Sequence, residues 1–269
     1  MLKKRLVFTL LYDSGFFMLS RNFRLQRVGD IEWLQKNYDF SHIAFFIDEL
    51  VILDVSRSGR NLDRFCETLK AISSGCFVPV AAGGGIRSIQ DARKLFSAGA
   101  DKIVVNTALF DDPDLITAMS QEYGQQSIVA SVDLKMSSDK KKFQAFTSCG
   151  ENLIDLEASE AINKICAQPV GEIYLNSIDR DGTGQGYDFS TLNELPSSCS
   201  IPVVLAGGVG NATHMIAGFD EPRVDAVATA NLFNFVGDGL KRLRNQLLAM
   251  GRPLAYWPMQ DDIMHERKY

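Results

Sequence analysis

The chain has 269 residues, of which 46% are hydrophobic, and a formal net charge of −5. A chain of this length buries a substantial core, and a single domain of this size is ordinary for barrels and large sandwiches. Because no apolar run approaches the length of a membrane span and the net charge is negative, we expect neither a membrane nor a nucleic acid as a partner, without excluding a local anion site.

Short apolar runs alternate with amphipathic stretches along the chain, a pattern typical of alternating strands and helices. The predicted strands cover residues 5–11, 50–55, 78–82, 102–106, 127–133, 172–177, 202–206 and 225–229. The predicted helices cover residues 31–38, 62–73, 89–99, 114–124, 156–168, 189–196, 211–219 and 236–251. Eight strands that are each followed by a helix indicate a parallel sheet of the α/β class. At this length, we expect a closed (β/α)8 TIM barrel rather than an open doubly wound sheet.

Three segments stand outside this alternation. Residues 12–30 are predicted to form a long loop after the first strand, and residues 135–154, with a charged centre followed by FQAFT, are predicted to form a hairpin. Residues 252–269 are polar and aromatic with two prolines, which indicates a C-terminal extension on the surface. The barrel domain is therefore expected to cover residues 1–251.

The chain also repeats itself. The segment VPVAAGGGIRSIQDARKLFSAGADKIVVNTALF at 78–110 matches PVVLAGGVGNATHMIAGFDEPRVDAVATANLF at 202–233, and LDVSRSG at 53–59 matches NSIDRDG at 176–182. The offset of about 123 residues is too long for a solenoid and suits a fused half-barrel. We expect half-repeats of about 1–122 and 123–251.

One position breaks the repeat. The first strand, RLVFTLLY, falls on SIVASVDL at 127–134, so that Asp133 ends one strand where Leu11 ends its counterpart. A carboxylate at the end of a barrel strand serves as a general acid or base if its pKa is tuned. A structural carboxylate that caps a loop is the alternative interpretation of Asp133.

Glycines follow two equivalent strands, as Gly83–Gly85 and as Gly207–Gly208. Strand carboxyl ends carry the site in such barrels, and glycine lets backbone N–H groups approach a phosphate. The pairs 106–107 and 230–231 stand where the following helices begin, another favourable place for an anion. The same arrangement twice predicts two phosphate sites on opposite sides of the barrel, although glycines that only shape tight turns are the alternative.

Further polar side chains are expected at other strand ends. Asp54 and Asp181 are predicted to end the second and sixth strands, the latter within a polar, glycine-rich segment, DRDGTG, that also fits an ordinary turn. Five scattered cysteines, without a C-x-x-C pair, and three unpaired histidines indicate reduced thiols and no metal site. We therefore expect a cytoplasmic protein that needs no metal or other cofactor. The basic, then apolar start is read as a buried strand rather than a signal peptide, since Asp13 interrupts it.

Four charged residues begin predicted strands. They are Arg5, Glu49, Lys102 and Glu172, at the starts of the first, second, fourth and sixth strands. All four would face the amino-terminal end of the barrel, where a set of two bases and two acids is either a plug or gate or a salt-bridged stability device.

Together these residues resemble the cyclase subunit of imidazole glycerol phosphate synthase, the HisF family, from Met1 to about Arg252. The matching strings are LDVSRSGR, VAAGGGIRS, GADKIVVNTA, ASVDLK, NSIDRDGTGQGYD and VVLAGGVGN. The resemblance implies a lyase that takes ammonia from a HisH-like glutaminase docked at the barrel bottom, through a gate formed by the four charges, to a bis-phosphate ligand at the top. The implied phosphate-binding residues are Gly85, Asn106, Thr107, Asp181, Gly182, Gly208, Ala230 and Asn231.

The chain departs from that family at its catalytic pair. Asp133 matches one of the two catalytic aspartates, but Leu11 stands where the other is expected and Leu19 stands where the family has a lysine in a flexible loop. Leucine neither transfers a proton nor binds a phosphate. Asp13, two residues on, is expected in the loop and is a poor substitute. Whether the chain is a cyclase enzyme is therefore left open.

Three functions remain at this point. A retained conduit with damaged ring-forming chemistry resembles HisF-like paralogues of the WbuZ type, which are associated with amidation of a surface-polysaccharide sugar and work with a HisH-like glutaminase and a separate sugar amidotransferase. The second possibility is an authentic cyclase of histidine biosynthesis, rebuilt around Asp133. The third is a non-catalytic scaffold that activates a glutaminase.

Overall fold

The computed structural model describes residues 3–38, 45–230 and 239–255. The strands in these ranges are β1 (Arg5–Asp13), β2 (Phe16–Arg21), β3 (Arg24–Gly29), β4 (Glu49–Asp54), β5 (Val80–Gly83), β6 (Lys102–Val105), β7 (Ile128–Met136), β8 (Phe143–Thr147), β9 (Asn152–Glu157), β10 (Glu172–Ser177), β11 (Val203–Ala206) and β12 (Ala226–Thr229). Eight of them pair in parallel in the order β1-β4-β5-β6-β7-β10-β11-β12, and β12 pairs with β1. The sheet is closed, and the predicted TIM barrel is confirmed.

Helices follow the barrel strands and cover the outside of the sheet. They are α1 (Ile31–Asn37), α2 (Leu62–Ser73), α3 (Ile89–Ser97), α4 (Ala108–Asp111), α5 (Pro113–Tyr123), α6 (Ala158–Cys166), α7 (Ala212–Asp220) and α8 (Gly239–Ala249). Several begin at a polar cap; Asn61 and Asn211, for example, each accept a hydrogen bond from the backbone N–H three residues on. None of the helices in the described ranges has both the length and the apolar character that a membrane span requires.

Two predicted helices differ from the observed elements. Residues 189–194 form a 3-10 helix rather than an α-helix, begun by Asp188 and ended before Pro196, so that only six residues are available. The predicted helix 156–168 begins at Ala158, because β9 continues to Glu157. The start of the predicted helix 236–251 and the part of the predicted tail after Ala255 lie outside the described residues.

Residues 12–30 do not form the loop that the sequence predicted. β1 runs on to Asp13 and pairs with β2, which pairs with β3, so the segment is an antiparallel hairpin. Asn22 and Phe23 turn the chain with φ values of 52° and 62°, which suits a tight hairpin turn. The outward side chains of β2 explain the outcome, since Phe17 is fully buried and Leu19 packs against the outer core. The second insertion, 135–154, forms the predicted hairpin, β7-β8-β9.

The core has two parts, because successive strand residues point to opposite faces of the sheet. One part lies between the sheet and the helices and includes Leu6, Phe8 and Leu10 of β1. The other fills the lumen of the barrel and includes Val7 of β1 and Tyr174 of β10. This alternation decides which side chains of each strand reach the lumen and its two ends.

Candidate functional site

The mouth of the barrel, at the carboxyl ends of its eight strands, is built from two unlike sides. β1 and β7 lie four strands apart in the sheet order and therefore face each other. Leu11 of β1 is in register with Leu53 of β4, and Asp133 of β7 is in register with Asn176 of β10. Because Leu53 and Asn176 are counterparts in the sequence repeat, Leu11 and Asp133 occupy equivalent places on opposite sides of the mouth.

Asp133 is held in a buried polar environment. Its side chain is 8% exposed, and the Nδ2 groups of Asn106 and Asn176 each donate to one carboxylate oxygen at 3.3 Å. Burial raises the pKa of Asp133 to about 7, although the hydrogen bond from Asn176 opposes this, and the negative charge of Asp181 adds to it. A carboxyl group with a pKa near neutrality is suited to give or take a proton.

The opposite side of the mouth is apolar. Leu11 is 9% exposed and is paired with Met18 of β2, whose side chain points the same way. Leu19, where the resemblance implies a lysine, lies on the other face of the hairpin and packs against the outer core. Asp13 is the last residue of β1 rather than a loop residue, because the strand continues into the hairpin. It stands two residues beyond Leu11, outside the barrel rim.

The first glycine segment is covered by an arginine that sequence reasoning missed. Gly85 has a φ of 67°, and a Cβ added there would lie 1.8 Å from Nη1 of Arg60. Arg60 donates to the carbonyl oxygen of Ser56 at 2.7 Å, and its Nε lies 3.4 Å from a carboxylate oxygen of Asp54. A guanidinium beside a glycine turn is suited to an anion. In the sequence, the one indication of this contact is that Arg60 follows the second strand within a few residues.

Asp54, as predicted, ends the second barrel strand, β4, but its side chain does not reach the mouth. It is in register with Tyr12, whose side chain lies in the outer core. One carboxylate oxygen accepts from the backbone N–H of Ser56 at 3.0 Å. Burial raises the pKa of Asp54, against the opposing effects of Ser56 and Arg60. Asp54 therefore affects the site indirectly, because its carboxylate helps to position Arg60.

Two of the residues expected around the first phosphate are already engaged. Besides Asp133, the Asn106 amide donates to the carbonyl oxygen of Ser131 at 3.0 Å. The Thr107 hydroxyl oxygen accepts from the backbone N–H of Ser148, in the turn between β8 and β9, at 3.3 Å. Asn106, which directly follows β6, thus contacts the carboxyl group of Asp133 on the neighbouring strand β7.

The second glycine segment lies beside the loop after β10. Gly207 and Gly208 have φ values of 87° and 103°, and the Gly186 N–H donates to the Gly208 carbonyl oxygen at 2.7 Å. Asp181 does not end the sixth barrel strand as predicted. β10 ends at Ser177 because the chain turns there, and the Asp181 N–H donates back to the Ser177 carbonyl oxygen at 2.9 Å. Ala230 lies directly after β12, and Asn231 is outside the described residues.

The tip of the β2–β3 hairpin is fastened over this loop. The Asp181 carboxylate accepts from the Ser20 hydroxyl and from the Phe23 N–H, the latter at 3.0 Å. The Asn22 amide donates to the carbonyl oxygens of Ile178 and Asp179 at 3.0 and 2.8 Å. A Cβ on Gly182 would lie 1.9 Å from the Ser20 carbonyl oxygen, so only glycine permits this approach.

Arg57 fastens the same tip from the other side. Its Nη2 donates to the carbonyl oxygen of Phe23 at 2.8 Å and to that of Cys149, in the β8–β9 turn, at 3.3 Å. The hairpin tip therefore joins the loop after β10, the loop after β4 and the β8–β9 turn across the mouth. No sequence pattern identified these contacts, because they depend on how far each hairpin extends.

The four predicted charges meet at the other end of the barrel, as a charge ring of Arg5, Glu49, Lys102 and Glu172. Arg5 pairs with Glu49 at 2.7 Å and with Glu172, and Lys102 lies 2.9 Å from Glu49 and 3.2 Å from Glu172. Both glutamates are almost fully buried, whereas the two bases are partly exposed. Burial raises the pKa of Glu49, as does the charge of Glu172, while Lys102 and Arg5 oppose the rise.

Known proteins resemble this chain over nearly its whole length. A family described as "Histidine biosynthesis protein" matches residues 29–237. The chain is 48% identical over 260 residues to a protein of Parasynechococcus marenigrum (strain WH8102) provisionally named imidazole glycerol phosphate synthase subunit hisF2, with 96% of each chain covered. It is 35% identical to imidazole glycerol phosphate synthase subunit HisF of Chlorobium limicola, over 94% of this chain and 99% of that protein. It is 36% identical to subunit HisF of Pelodictyon phaeoclathratiforme, over 93% of this chain and 98% of that protein.

Proposed function

Since this chain belongs to the family of histidine biosynthesis proteins, as a HisF-like member, we propose that it is the synthase subunit of a glutamine amidotransferase complex. A HisH-like glutaminase docks at the barrel bottom and releases ammonia there. The ammonia passes the charge ring and travels through the barrel to the mouth. There it is handed on to a separate acceptor, the sugar of a surface polysaccharide, instead of being used to close an imidazole ring.

The charge ring supports the first part of this proposal, the passage of ammonia through the barrel. Two buried glutamates are retained at equivalent places of the two half-barrels and are neutralised by one arginine and one lysine, both partly exposed. A buried ion-pair ring adds less stability than well-packed apolar side chains of similar size. Its retention at the end of the lumen therefore favours a role in passage over a purely structural role.

The single observation that carries the second part of the proposal, the transfer of ammonia to a separate acceptor, is Leu11 at the mouth. Proton transfer in the ring closure requires a positioned acid and base, and the place opposite Asp133 is occupied by Leu11 beside Leu53. Asp133, on the other side of the mouth, has a pKa raised to about 7, as such a group requires. The loss of one member of an acid–base pair costs on the order of 100-fold or more in rate.

A specific observation favours the authentic cyclase as second candidate. Asp133 keeps a pKa near neutrality and two amide donors, and the relatives named above are called imidazole glycerol phosphate synthase subunits. In that case the purified chain would convert the ribulose-phosphate imidazole precursor to imidazole glycerol phosphate with ammonium salt alone.

A three-component amidation assay tests the proposal. The chain, a HisH-like glutaminase and an N-acetyl-sugar amidotransferase from the same genome are mixed with glutamine, a sugar acceptor and the imidazole precursor. We expect amidated sugar only when all three proteins are present. Ammonium salt should replace the glutaminase, and the imidazole precursor should stay unconverted.

The controls separate the candidates. A Glu122→Gln variant, which removes an exposed ion pair with Arg93 far from the lumen, should behave like wild type. Robust precursor turnover without amidated sugar would favour the cyclase. If the chain stimulates glutamine hydrolysis but neither amidated sugar nor imidazole glycerol phosphate forms, the chain is a scaffold that activates the glutaminase. That result would contradict the proposed ammonia conduit.

A further inference from the structure

One side chain crosses the lumen just above the charge ring. Tyr174 lies two residues after Glu172 on β10, so both side chains point into the barrel. The Tyr174 hydroxyl lies 3.0 Å from Oγ1 of Thr9 on β1. Since β11 and β12 stand between β10 and β1 on one side and four strands stand between them on the other, this hydrogen bond spans the lumen.

The surroundings of this bond are apolar except for Ser131, a buried residue of β7 that is in register with Tyr174. The other side chains of the lumen core are Val7, Val51, Ala81, Val104, Val129, Val204, Ala206, Ala226 and Ala228. Tyr174 is 5% exposed and Thr9 is 1% exposed. A buried hydroxyl without a partner is costly, so Thr9 both satisfies the phenol and fixes the ring across the lumen.

The half-barrel repeat has a smaller side chain at the position equivalent to this tyrosine. Glu172 and Glu49 are counterparts, 123 residues apart, and the next inward position is Tyr174 in one half and Val51 in the other. Branched apolar side chains are the usual filling of such barrels. Only the second half carries a side chain long enough to reach the opposite wall, directly between the charge ring and the mouth.

We propose that Tyr174 and Thr9 form a second closure of the lumen, one layer above the charge ring, which must open for ammonia to reach the mouth. The proposal rests on the conduit function proposed above. The aromatic ring blocks the path by its size. Ammonia opens it by accepting a hydrogen bond from one hydroxyl group and donating to the other oxygen, in place of the Tyr174–Thr9 bond. Burial raises the pKa of Tyr174, so the phenol keeps its proton and stays a donor.

Crystal structures of wild type and Tyr174→Val test the closure without any assumption about activity. In wild type we expect ordered water between the charge ring and Tyr174 to be separated from water at the level of Asp133. In Tyr174→Val, which repeats the Val51 of the first half, we expect one continuous file of water. A row of water molecules that already continues past Tyr174 in wild type would overturn the closure, whichever reaction the chain serves.

The functional test compares two routes to the same product, amidated sugar or imidazole glycerol phosphate, whichever the amidation assay yields. Ammonia from glutamine enters at the ring, whereas ammonium salt in solution reaches the mouth directly. The larger ring of Tyr174→Trp should lower the glutamine-dependent rate by about tenfold or more, equivalent to about 1.4 kcal/mol in barrier, and leave the ammonium-dependent rate unchanged. Tyr174→Val, which removes the ring, should raise the glutamine-dependent rate.

A matched control is Leu175→Val, on the same strand but facing the outer core, which should leave the ratio of the two rates at the wild-type value. An unchanged ratio in Tyr174→Trp would overturn the closure. If wild type makes no product from glutamine at all, the conduit itself fails, and the water file in the crystals still decides whether Tyr174 closes the lumen.

Discussion

The two half-barrels each give one glutamate to the charge ring at the bottom of the molecule, whereas they differ at the mouth. Glu49 and Glu172, which are repeat counterparts, contribute equally to the charge ring. At the mouth, one half presents Leu11 and Leu53, and the other presents Asp133 and Asn176. Both halves thus carry the buried acid of the charge ring, although its two bases, Arg5 and Lys102, come from the first half, while at the mouth only the second half presents a carboxylate.

The largest effect is expected where the halves differ most. In Leu11→Asp, a carboxylate is restored opposite Asp133, and a working acid–base pair contributes roughly 10² to 10⁴-fold in rate. We expect ammonium-dependent formation of imidazole glycerol phosphate to rise by about 100-fold or more over wild type. Leu53→Asp, which places a carboxylate on the neighbouring strand, is the matched control and should not gain turnover. An inactive but folded Leu11→Asp would mean that more than this pair was lost.

The charge ring, to which each half gives one glutamate, should respond strongly to loss of one member. Lys102→Gln leaves two buried glutamates with a single base, and breaking a buried ion pair costs about 3 kcal/mol or more. Urea unfolding should report that loss in the free energy of unfolding. Lys94→Gln breaks an exposed pair with Asp63 and should cost less than about 1 kcal/mol. Equal, small losses in both variants would show that the ring is not a coupled unit.

The polar half of the mouth should make stability depend on pH. The pKa of Asp133 is raised to about 7 in the folded chain, against about 4 for a free aspartate. Between these values the folded state holds a proton that the unfolded state has lost, so the free energy of unfolding falls as pH rises through this window. Asp133→Asn removes the effect, and we expect the stability of the variant relative to wild type to be about 4 kcal/mol higher at pH 8 than at pH 4, from about 1.4 kcal/mol for each pKa unit.

Exposed Asp155 supplies the control for that titration. Asp155→Asn should follow the wild-type curve throughout, because this side chain lies on the surface. A constant difference between Asp133→Asn and wild type from pH 4 to pH 8 would contradict a raised pKa at Asp133.

A smaller effect is expected at the hairpin tip, which joins the two halves over the mouth. Ser20→Ala removes a hydrogen bond to Asp181, worth about 1 kcal/mol. Hydrogen exchange of the Phe23 amide, which also bonds to Asp181, should accelerate correspondingly. Ser14→Ala, at the exposed base of the hairpin, should leave that amide unchanged. If both variants exchange alike, the tip is held by its other contacts.

The barrel followed from the sequence because each strand is a short apolar run and the repeat fixes the pairing. Alternation also placed Glu172 and Lys102 at one end of the lumen. The hairpin after β1 was missed, since its strands mix apolar and charged residues, and the face that Leu19 takes depends on β1 running on to Asp13. Arg60 and Arg57 were missed because their partners are backbone carbonyl oxygens and a turn glycine, which have no signature in the sequence.

The proposed passage through the charge ring and the proposed loss of the acid–base pair at Leu11 can be tested together in one reaction mixture. The chain, a HisH-like glutaminase, glutamine and the imidazole precursor are combined, and glutamate and imidazole glycerol phosphate are followed at the same time. We predict that the chain stimulates glutamate formation while imidazole glycerol phosphate stays at the background level of a mixture without the chain. Glutamate and imidazole glycerol phosphate rising together, in equal amounts, would contradict the account and identify a working cyclase.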